Sequence, residues 1–152
     1  MIIIKVIYPS ELKYLKEVRL NKDGPIIGYI VTYRHRYYYL SRRAYSEKQD
    51  HVFRMFNGGF GLDKTLFKAI LKGDNKLYAK VEGIIILYDG KKEKRYFYAS
   101  LDTWFENAKD YSTRKEKDGS FETYGEQKIL EGKYFEVLGL HPDDHKAKEM
   151  LR

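Results

Sequence analysis

The run Gly83-Ile84-Ile85-Ile86-Leu87-Tyr88 constrains this chain more than any other feature. It is the longest apolar stretch, and it is far too short to span a bilayer. Leu77 to Glu82 precedes it, the turn pair Asp89-Gly90 follows, and Arg95 to Ser100 resumes a strand-like pattern. The whole region reads as a β meander. With 43% hydrophobic and 16% aromatic residues, the chain is folded rather than disordered. Its 152 residues contain no cysteine, which excludes a disulfide framework, Cys-ligated zinc, iron–sulfur clusters and a thiol nucleophile. Met1-Ile2-Ile3-Ile4-Lys5 lacks the order of a signal peptide, so a cytoplasmic place is expected.

Around this region the pattern changes several times. Ile2 to Tyr8 reads as a strand ended by Pro9, and Ser10 as the cap of a short helix through Leu12, Leu15 and Val18. Asp23-Gly24-Pro25 is a turn; Ile26 to Tyr33 and Arg36 to Leu40 make a bent strand or a hairpin. Ser46 with Gln49 fits a capping box, opening a helix that points Val52, Phe53 and Phe56 inward and stops at Asn57-Gly58-Gly59. Asp63 caps a helix carrying Leu66, Phe67, Ile70 and Leu71 on one face, ended by Gly73. Ser100 or Asp102 starts a short helix through Trp104, Phe105 and Ala108. Lys109 to Ser120, nearly all polar, reads as an exposed loop. Glu126 to Leu130 and Tyr134 to Leu138 are strands, and His141-Pro142 opens a final helix. The expected fold is α+β: a single domain over 1–152, with a mostly antiparallel sheet and three to four flanking helices.

Charge is unevenly distributed. Residues 1–62 hold 11 basic and 5 acidic side chains, whereas residues 63–152 hold 18 and 17. The formal charge of +7 therefore belongs almost wholly to the first part. Tyr33 to Arg43 packs four arginines and four tyrosines into eleven residues. Arginine fits phosphate oxygens, and tyrosine offers a stacking face and a hydroxyl. Arg34, Arg36, Tyr38, Arg42 and Arg43 are thus the candidate nucleic-acid contacts, with His35 an added phosphate contact. The alternative is a strand whose solvated arginines pack over aromatic neighbours.

Phosphodiester hydrolysis needs carboxylates converging on Mg²⁺ and a lysine beside them. A carboxylate and a lysine two apart on a strand point to one face. Glu126-Gln127-Lys128 has that spacing, and Lys80-Val81-Glu82 has it reversed. Glu82 interrupts an apolar run, where a charge is costly unless paired or used. Asp102 and Asp89 are candidates for a second ligand. The catalytic candidates are Glu82, Glu126, Lys128 and Asp102, with Glu82 and Asp102 as metal ligands; a cross-strand ion pair of Glu82 with Lys80 or Arg95 is the alternative. His51 reads as a surface or boundary residue, with service as a general base the alternative. His141 and His145 lack a third ligand, and Asn57-Gly58-Gly59-Phe60-Gly61 reads as a cap plus turn rather than a phosphate loop.

Only two Gln and four Asn occur, while Lys, Glu and Ile abound, the habit of hyperthermophile proteins. Small size, no cysteine, richness in tyrosine and lysine and an irregular α+β pattern together resemble proteins encoded by viruses of hyperthermophilic archaea. Among these, a small basic nuclease of a filamentous virus is similar in size and character. The resemblance implies a fold distantly related to restriction-endonuclease-like nucleases. No Pro-Asp followed by Glu-x-Lys occurs in order, unless Asp102 and Glu126-Gln127-Lys128 take those parts. The expected function is DNA binding with Mg²⁺-dependent nuclease activity, in the host cytoplasm if the protein is viral. A non-enzymatic nucleic-acid binder for packaging or regulation is the alternative, and a structural or host-interaction protein is a third reading. DNA, duplex before single strand, is the expected partner. No membrane partner is expected, and a homodimer is compatible with the size.

Overall fold

The computed structural model describes residues 6–19, 21–44, 59–89, 94–113 and 125–140. Among these, the strands in chain order are β1 (Val6–Ile7), β2 (Lys13–Arg19), β3 (Ile26–Tyr33), β4 (Arg36–Ala44) and β5 (Phe60–Asp63). They continue with β6 (Val81–Asp89), β7 (Lys94–Ser100), β8 (Lys109–Thr113), β9 (Gly125–Leu130) and β10 (Glu136–Leu140). Two α-helices are described, α1 (Lys64–Lys72) and α2 (Leu101–Asn107). The fold is α+β. A seven-stranded sheet has the order β1-β10-β7-β6-β4-β3-β2, and β5-β9-β8 form a second, antiparallel sheet. In the large sheet β1 runs parallel to β10 and β4 parallel to β6; the other neighbours are antiparallel. A parallel pair needs a crossover, and β5 and α1 lie on the one that joins β4 to β6.

The apolar run is the middle of β6, and it is buried on both faces of the sheet. Ile84 and Ile86 point into a core made with Phe67 and Ile70 of α1, Trp104 of α2 and Phe60 of β5. Ile85 and Leu87 point the other way, into a core with Val31, Leu40 and Leu138. Alternation along the strand sends neighbours to opposite sides, so an uninterrupted apolar run needs two cores. The aromatic residues of the second core are all tyrosines, whereas phenylalanines and Trp104 gather in the first.

Local signals explain both helices. Asp63 Oδ1 accepts from Leu66 N at 3.0 Å at the start of α1, and Gly73 (φ 62°) ends it. Ser100 Oγ accepts from Thr103 N at 3.1 Å at the start of α2. That helix buries Trp104 and leaves Phe105 68% exposed.

Three expectations are corrected. The segment after Ser10 is not a helix: Pro9–Glu11 makes one 3-10 turn, and Lys13–Arg19 is the edge strand β2. Leu12 and Val18 enter the two cores on opposite faces, which one apolar stripe on a helix could not do. Leu77 to Glu82 is not a separate strand. Asn75 Oδ1 accepts from Leu77 N (3.0 Å) and Tyr78 N (2.9 Å), Tyr78–Lys80 folds into a 3-10 turn, and β6 begins at Val81.

Lys109–Thr113 is a strand rather than part of a loop, paired with β9. Its charges are paired: Lys109 with Glu131 at 2.9 Å and Asp110 with Lys128 at 2.8 Å. Three to four helices were expected, and two are found among the described residues. The helices expected at Ser46 to Phe56 and from Pro142 lie outside the described residues, as do His51, His141 and His145. Of the glycine-rich stretch, Phe60 and Gly61 already belong to β5. No described helix is long and apolar enough to cross a membrane.

Candidate functional site

The Arg/Tyr-rich segment is a β-hairpin, β3–β4, closed by the pair Tyr33 and Arg36. Its two turn residues, Arg34 (φ 51°) and His35 (φ 69°), both adopt left-handed backbone. That is the two-residue hairpin turn that Asn-Gly fills most easily, so a bulky pair there carries a steric cost. The turn is tied to the chain before β2. Arg34 Nη2 donates to Glu11 Oε2 at 3.1 Å, and the guanidinium lies 5.0 Å from the centre of the Tyr8 ring and 5.2 Å from that of Tyr33. Tyr8 N donates to Tyr33 Oη at 3.1 Å. Glu11 beside it raises the Arg34 pKa further, so the guanidinium stays charged.

Arg36 and Tyr37 are neighbours in β4 and point to opposite faces, so the basic segment is divided between two clefts flanking the turn. The first, of about 600 Å³, is lined by Arg36, Tyr38, Glu82, Tyr98, Asp102 and Glu106 among others. It forms where β7 ends at Ser100 and the chain turns into α2, beside Val81 and Glu82 at the start of β6. The pairing of β4 with β6 steps from Tyr37–Val81 to Tyr38–Gly83, so Glu82 is the extra residue of a β-bulge. The bulge brings its carboxylate to Arg36, whose Nη1 donates to Glu82 Oε1. Asp102 and Glu106, one helical turn apart on α2, add two more acids. Burial, with Tyr38 and Glu82 nearby, pushes the Tyr98 phenol up to about 12, so it is a neutral hydrogen-bonding group.

The second cleft, of about 590 Å³, is lined by Ser10, Glu11, Lys13, Thr32, Arg34, His35 and Tyr37. Its one acid, Glu11, is the partner of Arg34. The surface beside it continues the basic, aromatic character. Lys80 Nζ lies 5.1 Å from the centre of the half-buried Tyr37 ring, and Lys16 Nζ lies 5.7 Å from that of Tyr78. Both distances suit cation–π contact.

The structure brings Glu82, Asp102, Arg36 and Tyr38 into one cleft and places Arg34 in the other. Tyr38 is 3% exposed and packs edge-on to Tyr98 at 5.8 Å, so it offers no open face for a base to stack on. Arg42 is exposed, farther along β4, and Arg43 lies opposite Tyr88. Lys128 stands on the small sheet, bound to Asp110 and over the Phe67 ring at 5.8 Å. That contact with Lys128 holds the Asp110 carboxyl below its ordinary range. Glu126 lies in the same strand, opposite Ser112, so Glu126-Gln127-Lys128 is not on the sheet that carries Glu82.

Among the described residues no three His, Asp or Glu side chains stand together as a metal cage requires, and the Glu82 carboxylate is held by Arg36. Glu106, Lys13, Thr32 and Tyr37 were not singled out as site residues from sequence. Glu106 could have been found from its place four residues after Asp102 on one helix, but Lys13 and Thr32 carry no signal before the register of β2 on β3 is known. No family model, curated protein or solved structure matches the chain.

Proposed function

We propose that this protein binds DNA, using the surface around the β3–β4 turn. One observation carries the reading: Lys13, Arg34 and His35 converge on one cleft, beside the lysine-capped rings of Tyr37 and Tyr78. Cations next to partly open aromatic rings are what phosphate and base contacts require. The resemblance in size and character makes a virus of a hyperthermophilic archaeon the proposed source, with the host cytoplasm as the place of action. Fluorescence anisotropy with duplex DNA at increasing salt tests the reading. Binding should weaken steeply, and Lys13→Ala with Lys80→Ala should flatten the log–log salt slope by about 0.9 for each phosphate that the variant no longer neutralises. Absence of binding at low salt overturns it.

A Mg²⁺-dependent nuclease is the second reading, favoured by the meeting of Glu82 and Asp102 in one cleft next to that surface. Incubation with linear duplex DNA and Mg²⁺ decides it. Cleavage that is lost in Glu82→Ala and in Asp102→Ala supports a nuclease. DNA left intact by the wild type leaves a binding protein.

A further inference from the structure

The second cleft has a feature that general DNA binding does not call for. In β-sheet register Lys13 stands opposite Thr32, and Thr32 opposite Tyr37. An ammonium, a hydroxyl and a phenol therefore form one row across three neighbouring strands, spaced as directly opposed side chains are. Arg34 and His35 close the row at the turn. Among the described residues, the side chains of Lys13, Thr32, His35 and Tyr37 make no hydrogen bond or ion pair, while Arg34 is fixed by Glu11 and two tyrosine rings. A set of donors aimed into one cleft, with its guanidinium already positioned, has the layout of an anion receptor.

We propose that this cleft receives the phosphomonoester of a nucleotide, presented at the phosphorylated end of a nucleic-acid strand. The inference rests on the DNA-binding reading for the source of its ligand. A phosphomonoester carries close to two charges and three terminal oxygens, whereas an internal phosphodiester carries one charge and two such oxygens. Lys13 and Arg34 supply two positive charges, one of them shared with Glu11, and the row supplies three adjacent donors. The cleft is also much larger than one phosphate group and lies within the usual range for small-molecule sites, so there is room for the sugar and base behind it.

The test compares internally labelled oligonucleotides that differ only in a phosphate or a hydroxyl at each end, with a nucleoside monophosphate as competitor. A phosphorylated end should bind about tenfold more tightly than a hydroxyl end, the effect of one or two charge-assisted hydrogen bonds. Thr32→Val, shown folded by its circular dichroism and thermal melt, should bring that ratio towards one. Equal binding of both ends overturns the inference and leaves the DNA-binding reading standing. A nucleoside monophosphate that binds in direct calorimetric titration while no oligonucleotide binds keeps the phosphomonoester site and removes DNA as the partner. If neither binds, both readings fall.

Discussion

Arg36 and Glu82 stand 46 positions apart in sequence, and a β-bulge joins them. Arg36 Nη1 donates to Glu82 Oε1 because Glu82 is the unpaired extra residue opposite the Tyr37–Tyr38 step. Each side chain is 41% exposed, so solvent screens the pair. A double-mutant cycle of Arg36→Ala and Glu82→Ala should give a coupling of about 0.2–1 kcal/mol in urea unfolding. Because Arg36 is engaged there, Arg36→Ala should lower DNA affinity less than Lys13→Ala does. A larger loss from Arg36→Ala would move the DNA-binding surface to the acidic cleft.

Gly83 lies under the ring of Tyr98, where an added Cβ would come within 2.5 Å of a ring carbon. Gly83→Ala should cost about 1–3 kcal/mol as the ring is forced aside. Combined with Tyr98→Ala, its further cost should be smaller than in the wild type, because the clashing ring is gone. Additive costs in urea melts would show that the contact with Tyr98 is not the cause.

Trp104 is fully buried, and among the described residues its indole Nε1 has no hydrogen-bond partner. Trp104→Phe removes that donor while keeping an aromatic ring against Phe67 and Phe135, so it should cost less than about 1.5 kcal/mol. Trp104→Ala should cost about 3–5 kcal/mol, because it leaves a cavity. Equal losses in thermal unfolding would mean that the indole N–H is satisfied in solution.

Alkaline stability should track Tyr98. Its folded-state pKa, raised by burial to about 12, exceeds the ordinary 10.0, so the neutral phenol favours the fold fully below pH 10. That contribution is lost as pH rises from 10 through 12, since the unfolded chain releases the proton first. Tyr98→Phe should remove this part of the alkaline loss. A tyrosinate absorbance titration with parallel urea melts checks it, and an unchanged alkaline profile in Tyr98→Phe would sink it.

Much of the fold was legible where one local rule acts alone. Asp63 and Gly73 bound α1 as their capping preferences require, and Ser100 caps α2. The β3–β4 hairpin and the β7 strand lie where their β-branched and aromatic runs are. Two of the failures share a cause. Leu12, Leu15 and Val18 have helical spacing, yet an open edge of the sheet offered Lys13–Arg19 backbone partners on β3. The polar Lys109–Thr113 is a strand because β9 pairs with it and charges across the small sheet are matched. Tertiary pairing outweighs propensity when a neighbouring strand can satisfy the backbone.

The candidate site divides in the same way. That positive charge and tyrosine gather at Tyr33 to Arg43, and that Glu82 is a carboxylate needing a partner, is written in the chain itself. What that cluster becomes depends on the fold. Strand alternation sends Arg36 and Tyr37 to opposite faces, the bulge commits Glu82 to Arg36, and the register of β2 on β3 brings Lys13 and Thr32 to the turn. A composition fixes which charges a chain carries. Which of them share a cleft depends on pairings between strands distant in sequence, and those are set by burying one apolar strand on both of its faces.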